Sequence, residues 1–208
     1  RHLHRRHALP ALAIGLCAGV LALGGAAAAA PDSQGTDHWL MFTENFEDQG
    51  NAPTLSLFVT SGVATTGTVE IAGQLPAPFS VAAGGVTTVP IPLSTQVTSL
   101  DTVETKGIHV TSADEVTVYG LSQATATTDA FLGLPTDVLG AEHVVLAYRN
   151  GGPVPGSQFG IVVSVDDTDV TITPSVTTPP HDAGVPYTIT MNAGQTYQLR
   201  NTSSTVGK

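Results

Sequence analysis

Asp166, Asp167 and Asp169 form the densest acidic group in the chain. Carboxylates gathered in a tight turn are the oxygen ligands that Ca²⁺ takes, roughly six to eight at a time. No EF-hand or glycine-rich calcium repeat surrounds them. A solvated hairpin loop is the plainer reading, because Asp suits such turns and discourages edge pairing. Glu44, Glu47 and Asp48 make a looser second group of the same kind. Beyond the first thirty residues the histidines are His38, His109, His143 and His181, none at zinc-ligand spacing from another His, Cys or Glu. They read as structural residues, and no metal or other cofactor is expected.

Nucleophilic chemistry leaves no trace either. The Gly-x-Ser-x-Gly run of a nucleophile elbow is missing, as are Walker and dinucleotide fingerprints. Gly84-Gly85 and Gly151-Gly152 are lone turn signals. The expectation is a non-enzymatic chain with no catalytic residue. An extracellular hydrolase with a site split between distant residues is the weakest alternative. Trp39, Tyr119, Tyr148, Tyr187 and Tyr197 are the aromatic side chains that could stack on a sugar, though core packing suits each of them. The sequence names no ligand-binding residue.

Charge narrows the partners. Only 12% of residues are charged, about half the usual share. Arg1, Arg5 and Arg6 hold three of the seven basic residues, while every acid lies after Pro31. A surface that acidic repels phosphate backbones and anionic headgroups, which excludes nucleic acid as a natural partner.

The first thirty residues read as an address. A basic stretch through His7 precedes the apolar run 8–25 and then Ala26 to Ala30, the order of a secretory signal peptide. Cleavage one or two residues ahead of the Ala30–Pro31 bond, where proline would hinder the peptidase, would remove Cys17, the single cysteine, so no disulfide is expected even in an oxidising compartment. The expected location is secreted or cell-surface.

The elements that must position any site are strands. From His38 onward, short runs rich in β-branched residues are cut by turn residues. Strands are predicted at 38–43, 54–60, 67–72, 79–82, 86–91, 107–111 and 116–121. A second series is predicted at 142–148, 159–165, 169–173, 187–191 and 196–200. Residues 83–85 and 192–194 carry hairpin-turn chemistry. No sustained helical period occurs after residue 31, although a helical turn fits near 135–139.

The two series read as one unit used twice. His38-Trp39-Leu40-Met41-Phe42 matches His143-Val144-Val145-Leu146-Ala147, and Leu55 to Val59 matches Phe159 to Val163, an offset of about 104 residues. Such a period is too long for a solenoid and fits duplicated β-sandwich units. The expected organisation is a signal peptide at 1–30, a first β unit at 31–121, a connecting segment at 122–140 and a second β unit at 141–208. That fold is all-β, two consecutive antiparallel sandwich-like units. The second unit is expected to be incomplete, because nothing after residue 200 corresponds to 107–111 and 116–121.

Six runs, taken in order, resemble one known family. They are Gly35-Thr36-Asp37-His38-Trp39-Leu40-Met41-Phe42, Ala64-Thr65-Thr66-Gly67-Thr68-Val69, and Val103-Glu104-Thr105-Lys106-Gly107-Ile108-His109-Val110. The others are Val116-Thr117-Val118-Tyr119-Gly120, Asp129-Ala130-Phe131-Leu132-Gly133-Leu134-Pro135-Thr136-Asp137, and Asn192-Ala193-Gly194-Gln195-Thr196-Tyr197-Gln198-Leu199. This pattern resembles the N-terminal domain of the IgGFc-binding protein family, known from an animal mucus protein and from bacterial secreted or surface proteins. The resemblance implies a non-catalytic extracellular binding or adhesion module whose partner is a glycoprotein, a polysaccharide or a protein. It carries no Fc-binding motif that maps onto particular residues. A structural spacer in a larger surface protein is the alternative.

Overall fold

The computed structural model describes residues 32–45, 52–125, 127–147 and 156–201. Arg1–Ala30, with the expected signal peptide, lies outside them, as do Glu47, Asp48, Tyr148 and the Gly151-Gly152 pair. The described strands are β1 (Gly35–Leu40), β2 (Phe42–Thr43), β3 (Thr54–Thr60), β4 (Thr65–Ile71), β5 (Ala77–Val81), β6 (Val86–Ile91), β7 (Gln96–Val97) and β8 (Val103–Glu104). They continue with β9 (Ile108–Gln123), β10 (Thr128–Gly133), β11 (Ser157–Val162), β12 (Thr168–Ile172), β13 (Tyr187–Met191) and β14 (Thr196–Asn201). The chain is all-β, with short 3₁₀ turns at Leu93–Thr95 and Thr136–Val138. Among the described residues no helix is long and apolar enough to cross a membrane.

Alternation explains the first sheet. In β3, Leu55, Leu57 and Val59 point into the core while Thr54, Ser56, Phe58 and Thr60 face away, the two-residue period of a pleated strand. The sheet runs β5-β4-β9-β3-β6. β9 is its spine. Residues 108–111 lie between β1 and β4, and residues 118–123 lie between β3 and β10. The sequence divides this stretch into strands at 107–111 and 116–121, with Ser112-Ala113-Asp114-Glu115 left between them. In the structure these residues stay extended, and one 16-residue strand carries the chain from the first pair of partners to the second. Curling around β9 gives a partly closed, barrel-like arrangement. Its core gathers Leu40, Phe42, Leu57, Val59, Ile108, Val110, Val116 and Val118.

The stretch predicted as a connector holds β10. It adds to β9 with Phe131 opposite Gly120. A side chain at Gly120 would meet the Phe131 ring at 2.3 Å, so only glycine leaves that ring its seat.

The second series pairs as the first does. β3 pairs with β6 and β4 with β5; β11 pairs with β14 and β12 with β13, all antiparallel. Each set is closed by a glycine of positive φ, Gly84 or Gly194. Gly84 N–H donates to the Ser61 carbonyl and Gly194 N–H to the Val163 carbonyl, both at 2.9 Å. β14 takes β8 on its far edge, so a strand of the first series extends the second sheet. The second core is smaller: Val163, Ile172, Met191, Tyr197 and Leu199 are buried, with Phe159, Ile161, Val170 and Ile189 half-covered. One predicted strand is missing. Residues 142–147 form none, and Val144 and Leu146 are about 90% exposed, at 90% and 92%.

Candidate functional site

An apolar cleft of about 400 Å³ opens between β1–β2, β10 and β11. Trp39, Phe42, Phe131 and Leu132 form walls, and Leu134 and Leu139 stand at the rim, more than two-fifths exposed. Two glycines shape it. At Gly133 a side chain would strike Leu40 at 2.5 Å, and at Gly160 it would strike Met41 at 2.4 Å. Their bareness lets β10 and β11 come close to β1 and β2. The polar part is Asn45 and Ser122: Asn45 Nδ2 donates to Ser122 Oγ at 3.0 Å and to the Ser122 carbonyl at 3.2 Å. Asp129 is the one carboxylate among the lining residues. Apolar walls with a few fixed polar groups are the lining that ligand pockets generally have.

The histidines go to separate places. His38 in β1 is fully buried, and among the described residues neither ring nitrogen has a hydrogen-bond partner. Burial holds its pKa below the ordinary 6.5, against the opposing pull of Asp37 and Asp137. The His109 ring stacks on Trp39 with centroids 4.2 Å apart, and its Nε2 lies 2.9 Å from Asp37 Oδ2. His143 is exposed and reaches the Gly140 carbonyl. His181 stacks on Tyr187 at 3.5 Å and places Nε2 2.8 Å from Asp101 Oδ1.

That same Asp101 oxygen accepts the Tyr197 hydroxyl, which also lies 2.9 Å from the Tyr187 hydroxyl. Burial, reinforced by these two bonds, pushes the Tyr197 phenol far above its ordinary pKa, and burial raises Tyr187 too. The neutral phenols tie β13 and β14 to the turn before β8, and His181 ties the loop before β13 to the same turn. Tyr119 is on the surface at 45% exposure.

The acidic turn between β11 and β12 is clasped by the end of β13 and the turn that follows it. Asp166 Oδ1 accepts the Ala193 N–H at 3.0 Å, Asp169 Oδ1 accepts the Thr190 hydroxyl at 2.6 Å, and Asp167 N–H donates to Asn192 Oδ1 at 3.0 Å. Among the described residues no three His, Cys, Asp or Glu side chains converge. Glu44 binds Arg200 through its carboxylate and Gln158 through its carbonyl, joining β2 to β11 and β14.

The sequence reading misses the cleft. Its β10 wall lies in the stretch taken as a connector. The signal was present in Thr128-Asp129-Ala130-Phe131-Leu132-Gly133, a strand-like run whose only large ring faces a glycine across the sheet.

The geometry describes an all-β chain with a partly apolar cleft. Residues 129–208 match the family model described as IgGFc binding protein, which supports the family resemblance over β10 to β14. Two of the six resembling runs fall in that stretch, so the match rests on the later half of the chain. No curated protein matches the chain. No solved structure does either.

Proposed function

We propose that the chain is an exported, non-catalytic binding or adhesion module whose contact surface is the cleft between β1–β2, β10 and β11. The match of residues 129–208 carries this reading. The family is one of binding domains, typically extracellular, with protein or glycoprotein partners. The matched stretch opens at Asp129, on the cleft wall itself. The basic-then-apolar order of the first thirty residues supports export.

We propose further that the two strand series are copies of one sandwich-like unit. In support, both make the same four-strand pairing and close on equivalent glycines. The hairpin bonds set Ser61 against Val163, an offset two residues from the one read in the sequence. An even shift keeps inward residues inward.

The test is binding of the full chain to immobilised extracellular glycoproteins, IgG Fc among them, and to polysaccharides. Saturable binding to at least one is expected. Leu132→Asp should weaken it about tenfold, the effect of roughly 1.4 kcal/mol, with an unchanged melting temperature because Leu132 is 41% exposed. Absence of saturable binding would leave the spacer reading in its place.

A further inference from the structure

Residues 139–147, which follow β10 and the 3₁₀ turn at Thr136–Val138, are exposed without a break. The segment is neither helix nor strand, and among the described residues its backbone from 141 to 147 enters no hydrogen bond. Val144 and Leu146 stand almost fully in solvent. An unbonded backbone with open side chains is what an endoprotease requires, because its cleft takes substrate as an extended chain.

Exposure alone does not single the segment out. Val145 is 52% exposed, and Val63, Val86 and Val165 are 53%, 65% and 65% exposed. Those three are held by their surroundings. Val63 N–H donates to Ser61 Oγ, and Val86 pairs with Thr60 in β6. The Val165 carbonyl accepts the Thr168 hydroxyl in a turn bent by the positive φ of Asp167. Leu75 is nearly fully exposed but precedes Pro76, which hinders hydrolysis of the bond between them.

The segment also falls between the two cores. Every residue of the first core precedes it, and every residue of the second follows it. The halves are joined elsewhere. β8 pairs with β14, Gly107 N–H donates to the Gly194 carbonyl at 2.9 Å, and Gln158 Nε2 donates to the Glu44 carbonyl at 2.6 Å. A cut here breaks no core and none of these links.

We infer that residues 142–147 form a processing site, cut between Val145 and Leu146 by an endoprotease whose primary pocket takes a small aliphatic side chain. Hydrolysis consumes one water. Its hydroxyl goes to the Val145 carbonyl carbon and its proton to the Leu146 nitrogen as the bond between them breaks. The product is a folded two-chain molecule.

The probe is elastase, which has such a pocket, added to the full chain. Within the described residues, Leu146 should be the first new amino terminus. Cuts after Val63, Val86 and Val165 should be about tenfold slower, the ratio that a local opening of only ~1.4 kcal/mol would give. The nicked pieces should elute together on size exclusion and part in urea. Leu146→Pro removes no bonded N–H, so it should slow the cut about tenfold at an unchanged melting temperature. A different first cut, equal rates at the four valines, an undiminished cut in Leu146→Pro, or pieces that part without denaturant would each overturn the site. So would protection that grows with chain concentration, since a second copy would then cover the segment.

Discussion

At the residue scale, His38 is the most telling side chain. Its ring is fully buried and neither nitrogen is bonded among the described residues, a cost that apolar replacement removes. Its folded pKa lies below the unfolded 6.5 because burial disfavours the charged ring. The unfolded chain therefore takes up the proton first as pH falls. Stability from this group is complete above pH 6.5 and drains away as pH drops from there toward the folded value. Melting of the full chain at pH 7.5 and pH 5 should show a fall that shrinks in His38→Leu, with the variant gaining ~1 kcal/mol or more at the lower pH. Identical pH dependence in the two proteins would assign the slope to other groups. The sequence could place His38 in a strand, but it could not show that both nitrogens go unpaired. That depends on Val110 across the ladder and on Pro135, which arrives from a segment about a hundred residues away.

Strands were legible where alternation was strong and illegible where tertiary pairing overrode local chemistry. Leu55, Leu57 and Val59 announce β3 without help, since the three aliphatic residues alternate onto one face. Residues 112–115 fall between two predicted strands, yet β9 passes straight through them because β1 and β4 hold one end and β3 and β10 the other. The reverse holds at 142–147, where β-branched residues find no ladder partner among the described residues and form no strand. β10 went unread because its six residues mix Asp, Ala and Gly, and the cleft was lost with it. Close approach between strands makes a testable demand at Gly67. A side chain there would lie 2.3 Å from the Thr111 carbonyl oxygen and 2.3 Å from the Phe79 ring. The backbone contact cannot rotate away, so β4 must separate from β9. Gly67→Ala should cost ~1–3 kcal/mol, as overpacking does. Gly62→Ala, with nothing within 4 Å, should stay within ~0.5 kcal/mol of the parent. Urea titrations of both variants decide the point, and equal midpoints would contradict the β4–β9 geometry.

At the scale of the whole molecule, the two strand series differ in how well they hold themselves. The first buries an aliphatic core around β9, whereas the second has a small core with a half-covered margin and leans on the first for support. β8 pairs with β14, Arg200 binds Glu44, and the Asp101 N–H donates to the Gln198 carbonyl at 2.8 Å. Asp101 carries the most of this, because one of its carboxylate oxygens also receives the Tyr197 hydroxyl and His181. Its backbone sits at φ 52, a left-handed conformation that Asp and Asn tolerate better than most residues. Asp101→Ala removes the acceptor and strains the turn, leaving a buried phenol with Tyr187 as its remaining partner. Amide exchange in β13 and β14 should then quicken about tenfold, corresponding to ~1.4 kcal/mol of lost local stability. β3 and β6 should be unaffected, since their core does not include Tyr197. Asp101→Asn keeps a side-chain oxygen and the tolerance for positive φ, so it should recover most of the protection. Equal acceleration in β3 and β14 would mean that the two series open as one unit, with the first giving the second no separable support.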